Sequence, residues 1–193
     1  MKYFHISLGF KLKDRPAWLE DFRKEYDKPY PYHLTLKNET CIEDQDIPRL
    51  KKILEKIVKG YNPKELEMIF DKIDINETSK GHCIMVVARD DLDIRKLQLE
   101  IVRKLGIFGD NSSKEHKKFE ENFTPHITIG RHLNDAQLLQ AKKNLLNNIR
   151  FEIEPEKIVL AIVDRPILEE RVKEQNRDYF YFDQESKQAI VVL

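Results

Sequence analysis

Residues 123–131 of the chain read FTPHITIGR, and residues 30–37 read YPYHLTLK. Both stretches contain a histidine, an aliphatic residue, a threonine and a second aliphatic residue. The chain has only six His and five Thr. Two chance occurrences of this tetrapeptide are therefore expected in about one such chain in a thousand. The repeat indicates that the two segments occupy equivalent places in the fold.

The spacing of each tetrapeptide is that of a β-strand with two different faces. Successive side chains of a strand point to opposite sides. His33 and Thr35 therefore share one face, and Leu34 and Leu36 share the other, where they can pack under helices. Residues 126–129 repeat this arrangement. The pattern predicts two strands that each present an imidazole and a hydroxyl on the same side.

Hydrophobic periodicity places the two motifs in a regular succession of elements. A half-buried strand is followed by a helix, a His-Thr strand, a helix and a further strand, and the second half of the chain repeats this order. The strands are expected near 3–12, 32–37, 66–75, 82–88, 124–130, 151–163, 178–182 and 188–193. One helix is expected after Asp14, which would be its N-cap, and others from 47 to about 59 and at 92–105. A fourth helix is expected after Asn134, with an apolar stripe of Leu138, Leu139, Leu145, Leu146 and Ile149. The repeated order indicates a pseudo-twofold duplication, which would bring both His-Thr faces to one cleft.

Composition excludes several classes of protein. The 193 residues carry 34 basic and 34 acidic side chains, and a formal charge of zero argues against coating long nucleic acid by bulk charge. Cys41 and Cys83 have no spacing typical of a zinc finger or a disulfide framework. No apolar stretch reaches the length of a membrane span, and the N-terminus does not resemble a secretory signal. We expect a monomeric cytoplasmic protein that forms one domain over residues 1–193.

Two imidazoles and two hydroxyls that converge on one point suit phosphodiester chemistry. An in-line displacement at phosphorus needs a base on one side and an acid on the other, and His33 and His126 have side chains that titrate near neutrality. The hydroxyls of Thr35 and Thr128 can donate to the non-bridging oxygens, where charge accumulates. Two histidines without a paired carboxylate are an incomplete metal ligand set, so we expect neither a metal nor a cofactor.

The segments HLTL at 33–36 and PHITIGR at 125–131 resemble the twin HxTx signatures of the 2H phosphoesterase superfamily, which includes RNA 2′,3′-cyclic phosphodiesterases, also called 2′-5′ RNA ligases. The resemblance covers the whole chain in the order of elements, and in residue identity it is concentrated in the two motifs. It implies an α+β fold of two pseudo-twofold-related lobes. Each lobe would have an antiparallel sheet with helices outside, and a V-shaped cleft would lie between them.

The resemblance also assigns roles to individual residues. His33 and His126 would form the acid/base pair, and Thr35 and Thr128 would hold the phosphate. Arg131 stands where the family often carries an arginine that supports the phosphate. Lys37 follows the first motif, where basic residues are common, and strand alternation predicts that it shares the face of His33 as a second substrate-binding cation.

The expected function is metal-independent hydrolysis of 2′,3′-cyclic phosphates at RNA ends or on small nucleotides. Other reactions within the superfamily remain open at this point: hydrolysis or formation of 2′-5′ linkages, trimming of RNA 3′ ends, and cleavage of a cyclic ADP-ribose phosphate. A non-catalytic module that binds RNA ends or nucleotides, and a protein-interaction domain, are the alternatives from other classes. The intact His and Thr pairs favour an enzyme, since binding alone does not require two titrating groups.

Other residues permit only weaker predictions. We expect His5 and His82, which lie on strands, to satisfy local hydrogen bonds or to face solvent, although either can line the floor of the cleft. The segment 107–123 is expected to be irregular, either as a substrate lid or as a disordered or solvated insertion. A base-stacking aromatic residue is expected among Tyr30, Tyr32, Phe123, Tyr179 and Tyr181, and the pattern does not select one of them.

Overall fold

The computed structural model describes residues 1–14, 16–27, 30–89, 92–111, 113–145 and 149–182. Within them the chain forms seven strands, all paired antiparallel in one sheet, and six α-helices. The strands are β1 (Lys2–Leu12), β2 (Leu34–Ile42), β3 (Met68–Thr78), β4 (Gly81–Ala88), β5 (His126–Leu133), β6 (Phe151–Val163) and β7 (Arg177–Tyr181). The helices are α1 (Ala17–Tyr26), α2 (Ile47–Val58), α3 (Leu92–Leu105), α4 (Lys114–Glu121), α5 (Asp135–Asn144) and α6 (Leu168–Arg171). The predicted α+β class is confirmed.

The sheet consists of two groups of strands that meet at the beginning of β6. The strand order is β2-β1-β6-β3-β4-β5, and β7 also pairs with β6. β6 pairs with β1 along most of its length but with β3 only through residues 151–153. Phe70 and Phe151 stack at this junction, with their ring centroids 5.4 Å apart. β2 and β5, the two strands with the motifs, are therefore the first and last strands in this order.

The helices pack across the two halves of the chain. α1, which precedes β2 in sequence, packs against β5, whereas α3 and α4, which precede β5, pack against β2. β2 and β5 also contact each other directly. The reciprocal packing of α1 and α3 agrees with the predicted duplication, because each helix covers the motif strand of the other half.

β1 is buried on both faces, whereas its alternating pattern predicted a half-buried strand. Phe4, Ile6 and Leu8 are completely buried on the side of the main core. His5 and Ser7 on the other side are also almost inaccessible, at 4% and 5% exposure. The reason is that residues of the α6 region cover the polar face of β1. Alternation therefore identified the two faces correctly but not the burial of the polar one.

Three local predictions were wrong. The apolar stripe expected after Asn134 does not form, because α5 ends at Asn144 and Leu139 is exposed. Asp14 does not cap α1, which begins at Ala17 with Pro16 at its N-cap position and without a side-chain cap. The segment 107–123 is not irregular throughout, because it contains α4, whose first turn is capped by the Ser113 hydroxyl. α4 is short and strongly charged, and its single apolar residue, Phe119, cannot form an apolar stripe. The strand expected at 188–193 lies outside the described residues, as does Leu146.

Candidate active site

The two motif histidines are held by the same local contact. Nδ1 of His33 lies 3.0 Å from the carbonyl oxygen of Pro31, and Nδ1 of His126 lies 2.8 Å from the carbonyl oxygen of Thr124. In both cases the acceptor is two residues upstream, at the point where the chain enters the strand. A carbonyl oxygen can only accept a hydrogen bond, so each Nδ1 carries the proton. The Nε2 lone pair of each neutral ring is then free for proton transfer.

The motif threonines occupy the same faces as their histidines. Thr35 and Thr128 are partly exposed, whereas the aliphatic residues on either side of each are buried. The predicted alternation is therefore confirmed within both tetrapeptides. The hydroxyl of Thr35 lies 3.4 Å from Nε2 of His5, which belongs to the neighbouring strand β1.

Burial and nearby arginines keep His33 neutral. The pKa of His33 is lowered to about 3, mainly by burial and also by the guanidinium groups of Arg131, Arg171 and Arg177, against the opposing effect of the Pro31 carbonyl. The last two arginines lie on α6 and at the start of β7, and both line a small cavity with His5 and His33. An anion bound among these cations would favour the protonated imidazole.

His126 has a different electrostatic environment. Burial lowers its pKa, and Arg131 lowers it as well, whereas the Thr124 carbonyl and the carboxylate of Asp74 raise it. Arg131 is thus the cation that acts on both motif histidines. Its Nε lies 3.0 Å from Oδ1 of the buried Asp27, which ties β5 to the end of α1. This ion pair holds Arg131 near both rings, and its predicted contact with phosphate remains a prediction.

Lys37 does not share the face of His33, contrary to prediction. Thr35 pairs with Ser7, but Ile6 pairs with Lys37, so β2 contains an extra residue at this point. Such a β-bulge interrupts the alternation of side chains. Lys37 consequently points to the core side, where it is 1% exposed and its Nζ lies 3.1 Å from a carboxylate oxygen of Glu120 on α4. Its position argues for a structural role, because the amine is fully engaged away from His33.

Replacement of Lys37 by Met is expected to destabilise the fold. The variant leaves the buried carboxylate of Glu120 without its cation, which typically costs about 3–5 kcal/mol. The free energy of urea-induced unfolding measures this loss. Lys24→Met is the matched control, because Lys24 forms an exposed ion pair with Asp21 and should change stability little. The double variant Lys37→Met/Glu120→Leu should recover part of the loss, and unchanged stability of the single variant would contradict the assignment.

Sequence patterns did not identify several residues around the motifs. The sequence did not predict a particular role for His5, which was one of two strand histidines with several possible roles. It did not identify Arg171 or Arg177 as site residues. Strand pairing brings them together, since Ala161 of β6 pairs with both His5 and Arg177. Phe119 of α4 was also missed; its ring stands edge-on to His126 at 5.8 Å between centroids. His5, Arg171 and Arg177 lie far from either motif in sequence, whereas Phe119 precedes His126 by seven residues.

A groove of about 870 Å³ opens beside His126. Met85, Val87 and Phe119 supply apolar walls, and the remaining lining consists mainly of hydroxyl, amide and carboxylate groups from β3, α4 and the turn before β5. Next to His33, by contrast, the cavity under α6 is only about 10 Å³, enough for about one water molecule. The space for a bulky substituent is therefore on the His126 side.

Protonation of the partly buried motif histidines should make the fold sensitive to acid. A histidine with a folded pKa near 3 stays neutral while its unfolded counterpart, with a pKa near 6.5, takes up a proton, so the free energy of unfolding falls as the pH drops through this range. One such histidine contributes up to about 1.4 kcal/mol per pH unit. His33→Asn should flatten the dependence between pH 6.5 and 4 in urea titrations and run parallel to wild type above pH 7. Equal slopes in acid would show that His33 titrates normally.

The α+β scaffold thus carries two strands with the same His-Thr arrangement, and a comparison with known families identifies the family of the chain. A sequence model of the 2′-5′ RNA ligase superfamily matches residues 10–166, which include both motifs. The chain therefore belongs to the 2′-5′ RNA ligase superfamily of 2H phosphoesterases.

Two bacterial relatives are similar to the chain. A protein of Geobacillus sp. (strain WCH70), whose name assigns it provisionally to the phosphoesterases, is 32% identical over 156 residues, which cover 79% of this chain and 82% of the relative. A protein of Halalkalibacterium halodurans with the same kind of name is 28% identical over 120 residues, 61% of this chain and 63% of the relative. Both names agree with a phosphoesterase. Among the described residues, no helix is long and apolar enough to cross a membrane.

Proposed function

We propose that the protein is a metal-independent phosphodiesterase that opens 2′,3′-cyclic phosphates at RNA ends or on nucleotides. The observation that supports this most strongly is the matching pair of contacts from Nδ1 of His33 and His126 to a carbonyl two residues upstream. Nδ1 of each ring is thereby engaged by the backbone, which leaves Nε2 to accept or to give up the proton in general acid–base catalysis. The proposal takes the chain as one bilobal unit in which the two Nε2 atoms flank a single phosphate.

In the proposed reaction the neutral Nε2 of one histidine takes a proton from water as the water oxygen attacks phosphorus. The protonated Nε2 of the other gives its proton to the departing 2′ or 3′ oxygen as the ring P–O bond breaks. The product is a ribose phosphomonoester, and the two histidines have exchanged protonation states. Each transfer is worth about a hundred- to ten-thousandfold in rate. A proton returned through solvent restores the starting state.

The remaining groups stabilise charge and position the substrate. Thr35 and Thr128 donate to the non-bridging oxygens, and Arg131, near both rings, offsets the charge that develops there. The groove beside His126 accommodates the nucleoside attached to the phosphate, with Phe119 as a surface against which a base or ribose can pack. We therefore expect nucleoside cyclic phosphates to react better than small cyclic phosphodiesters without a base.

A panel of substrates tests the proposal. The wild-type protein is incubated with 2′,3′-cyclic mononucleotides, RNA that ends in a 2′,3′-cyclic phosphate, a 2′-5′-linked dinucleotide, RNA with a 3′-hydroxyl and a cyclic ADP-ribose phosphate, and each product is identified by chromatography. Opening of the cyclic phosphates to monoesters supports the proposal. Exclusive reaction at 2′-5′ linkages or at RNA 3′ ends would replace it with another activity of the superfamily, and binding without turnover would indicate a recognition module.

Removal of metal ions is expected to leave activity unchanged. The proposed charge stabilisation comes from hydroxyl groups and Arg131, so EDTA should not alter kcat or KM for a cyclic nucleotide. The comparison uses enzyme dialysed against EDTA and the same enzyme supplemented with Mg²⁺, Mn²⁺ or Zn²⁺. Activity that disappears with EDTA and returns with one of these ions would overturn the scheme and make the histidines ligands.

The expectations of a cytoplasmic location and a monomeric state belong to this proposal as well. Both motifs lie on one chain, so a single copy supplies His33, Thr35, His126 and Thr128. Size-exclusion chromatography with light scattering tests the oligomeric state, and activity that depends on protein concentration would contradict a functional monomer.

A further inference from the structure

A third histidine lies directly behind the first motif. His5 is in the middle of β1, is only 4% exposed, and points to the same side of the sheet as Thr35. Its ring stands edge-on to that of His33, with the centroids 6.4 Å apart. The region that matches the superfamily begins at residue 10, so His5 precedes it.

His5 is neutral in this position. Burial lowers its pKa well below the ordinary value, and the guanidinium groups of Arg171 and Arg177 lower it further, together with the neighbouring rings of His33 and His116. A neutral imidazole has one N–H donor and one acceptor nitrogen. The hydrogen bond to Thr35 must therefore run in one of two directions, and these have opposite consequences for the hydroxyl.

The direction of this hydrogen bond decides what Thr35 can offer a phosphate. If the hydroxyl donates to Nε2, its single proton is occupied. If Nε2–H donates to Oγ1, the hydroxyl proton is free to point into the cleft. A phosphate oxygen only accepts hydrogen bonds, so only the second arrangement allows Thr35 to hold it. We propose that His5 is a positioning residue whose Nε2–H donates to Thr35 Oγ1 and directs the hydroxyl proton to the scissile phosphate.

The distance between His5 and Thr35 is compatible with two successive hydrogen bonds that shorten when substrate binds. The Nε2–Oγ1 distance of 3.4 Å is at the long end for a hydrogen bond, and such contacts in substrate-free sites often shorten when the substrate binds. If the Thr35 hydroxyl accepts a hydrogen bond from His5 and donates one to an anion, the two hydrogen bonds point in the same direction and polarise each other. Occupation of the phosphate position should therefore strengthen both bonds.

Among the residues that the structure describes, no side chain forms a hydrogen bond with the Thr128 hydroxyl, in contrast to Thr35. Thr128 pairs across the sheet with Met85, and His126 pairs with Val87. Neither of these side chains carries an N–H or O–H group that could orient the Thr128 hydroxyl. The two threonines are therefore unequal, with Thr35 oriented in advance and Thr128 dependent on the substrate. This difference provides an internal control for the role of His5.

Kinetics of two His5 variants test the role, which rests on the function proposed above. His5→Phe keeps a ring without a donor, whereas His5→Gln retains an N–H near the position of Nε2. For a 2′,3′-cyclic nucleotide, His5→Phe should lower kcat about ten- to a hundredfold with KM within about twofold, and His5→Gln should retain most of the activity. Thermal unfolding confirms that each variant folds. A folded His5→Phe variant with wild-type kcat would overturn the inference.

Double variants separate positioning from a general effect on the site. His5→Phe combined with Thr35→Val should be no slower than Thr35→Val alone, because both changes remove the same donated hydrogen bond. His5→Phe combined with Thr128→Val should instead lower kcat by the product of the factors found for the two single variants. If His5→Phe multiplied the loss equally with both threonine variants, the proposed link to Thr35 would be wrong.

The tautomer of His5 can be measured without turnover. Long-range ¹H–¹⁵N spectra of wild type and of His5→Gln assign the His5 signals and identify which ring nitrogen carries the proton. Protonated Nε2 is the expected result, and protonated Nδ1 would overturn the inference even in an active enzyme. Absence of turnover with Nε2 protonated would instead refute the proposed function and leave the His5–Thr35 contact in place.

Discussion

Replacement of either His33 or His126 by Ala is expected to abolish turnover of a 2′,3′-cyclic nucleotide. Each ring supplies one of two proton transfers, and loss of either should lower kcat by about a hundred- to ten-thousandfold. The fold should persist, since both side chains are partly exposed and the contact that each ring donates is to a local backbone carbonyl. Steady-state kinetics and circular dichroism of the purified variants check both statements.

His82→Ala is the matched control. His82 is also a strand histidine, but its Nε2 pairs with Asp135 at the beginning of α5. Its removal should leave kcat and KM near wild-type values. Near-normal activity of His33→Ala or His126→Ala would refute the acid–base assignment, and a similar loss in all three variants would point to a general disturbance of the fold.

The same pair determines the pH dependence of the reaction. kcat/KM reports the substrate-free enzyme and should be bell-shaped, since the base must be neutral and the acid protonated. It rises with pH through the lower pKa and falls through the higher one. The pKa values of His33 and His126 are both lowered from 6.5, so the maximum is expected below pH 6.5. A value of kcat/KM that still rises above pH 7 would contradict the lowered pKa values of the two histidines.

Loss of one threonine hydroxyl is the second large effect that we expect. Thr35→Val and Thr128→Val keep the β-branched shape that suits a strand while removing the donor to the phosphate. By analogy with oxyanion-hole donors, each should cost about a hundred- to a thousandfold in kcat, with a smaller effect on KM. Kinetics at saturating cyclic nucleotide measure this loss, and thermal unfolding confirms that the strands persist.

Serine variants distinguish the hydroxyl from the methyl group. Thr35→Ser and Thr128→Ser retain the donor and should keep much of the rate. The Thr35→Val variant is also expected to become insensitive to His5→Phe, whereas Thr128→Val is not. A serine variant as slow as the corresponding valine variant would mean that packing by the methyl group, and not the hydrogen bond, determines the rate.

The sequence predicted the parts of the site that depend on local geometry. A period of two residues places His and Thr of each motif on one face and the aliphatic residues on the other, and the structure confirms this within both tetrapeptides. The contact from each Nδ1 to a carbonyl spans only two residues, so it too belongs to the local segment. The helices at 47–58 and 92–105 followed from apolar stripes in the same way.

Prediction failed where strand pairing decides the outcome. Two residues after Thr35, the alternation predicted Lys37 on the same face, but a bulge against β1 turns that amine to Glu120. The bulge depends on the register between β1 and β2, which are separated by a helix. A short charged helix such as α4 likewise has no apolar stripe in sequence and is stabilised by the elements against which it packs.

The sequence by itself determined which four side chains carry the proposed chemistry, because their identity and their strand faces are properties of two short segments. Only the tertiary structure decided their electrostatic surroundings. His5 lies behind Thr35 through the β1–β2 pairing, and Arg171 and Arg177 reach His33 because β7 and α6 lie against β6. Desolvation and Coulomb interactions depend on distances in space between residues far apart in the chain, and a linear pattern does not contain those distances.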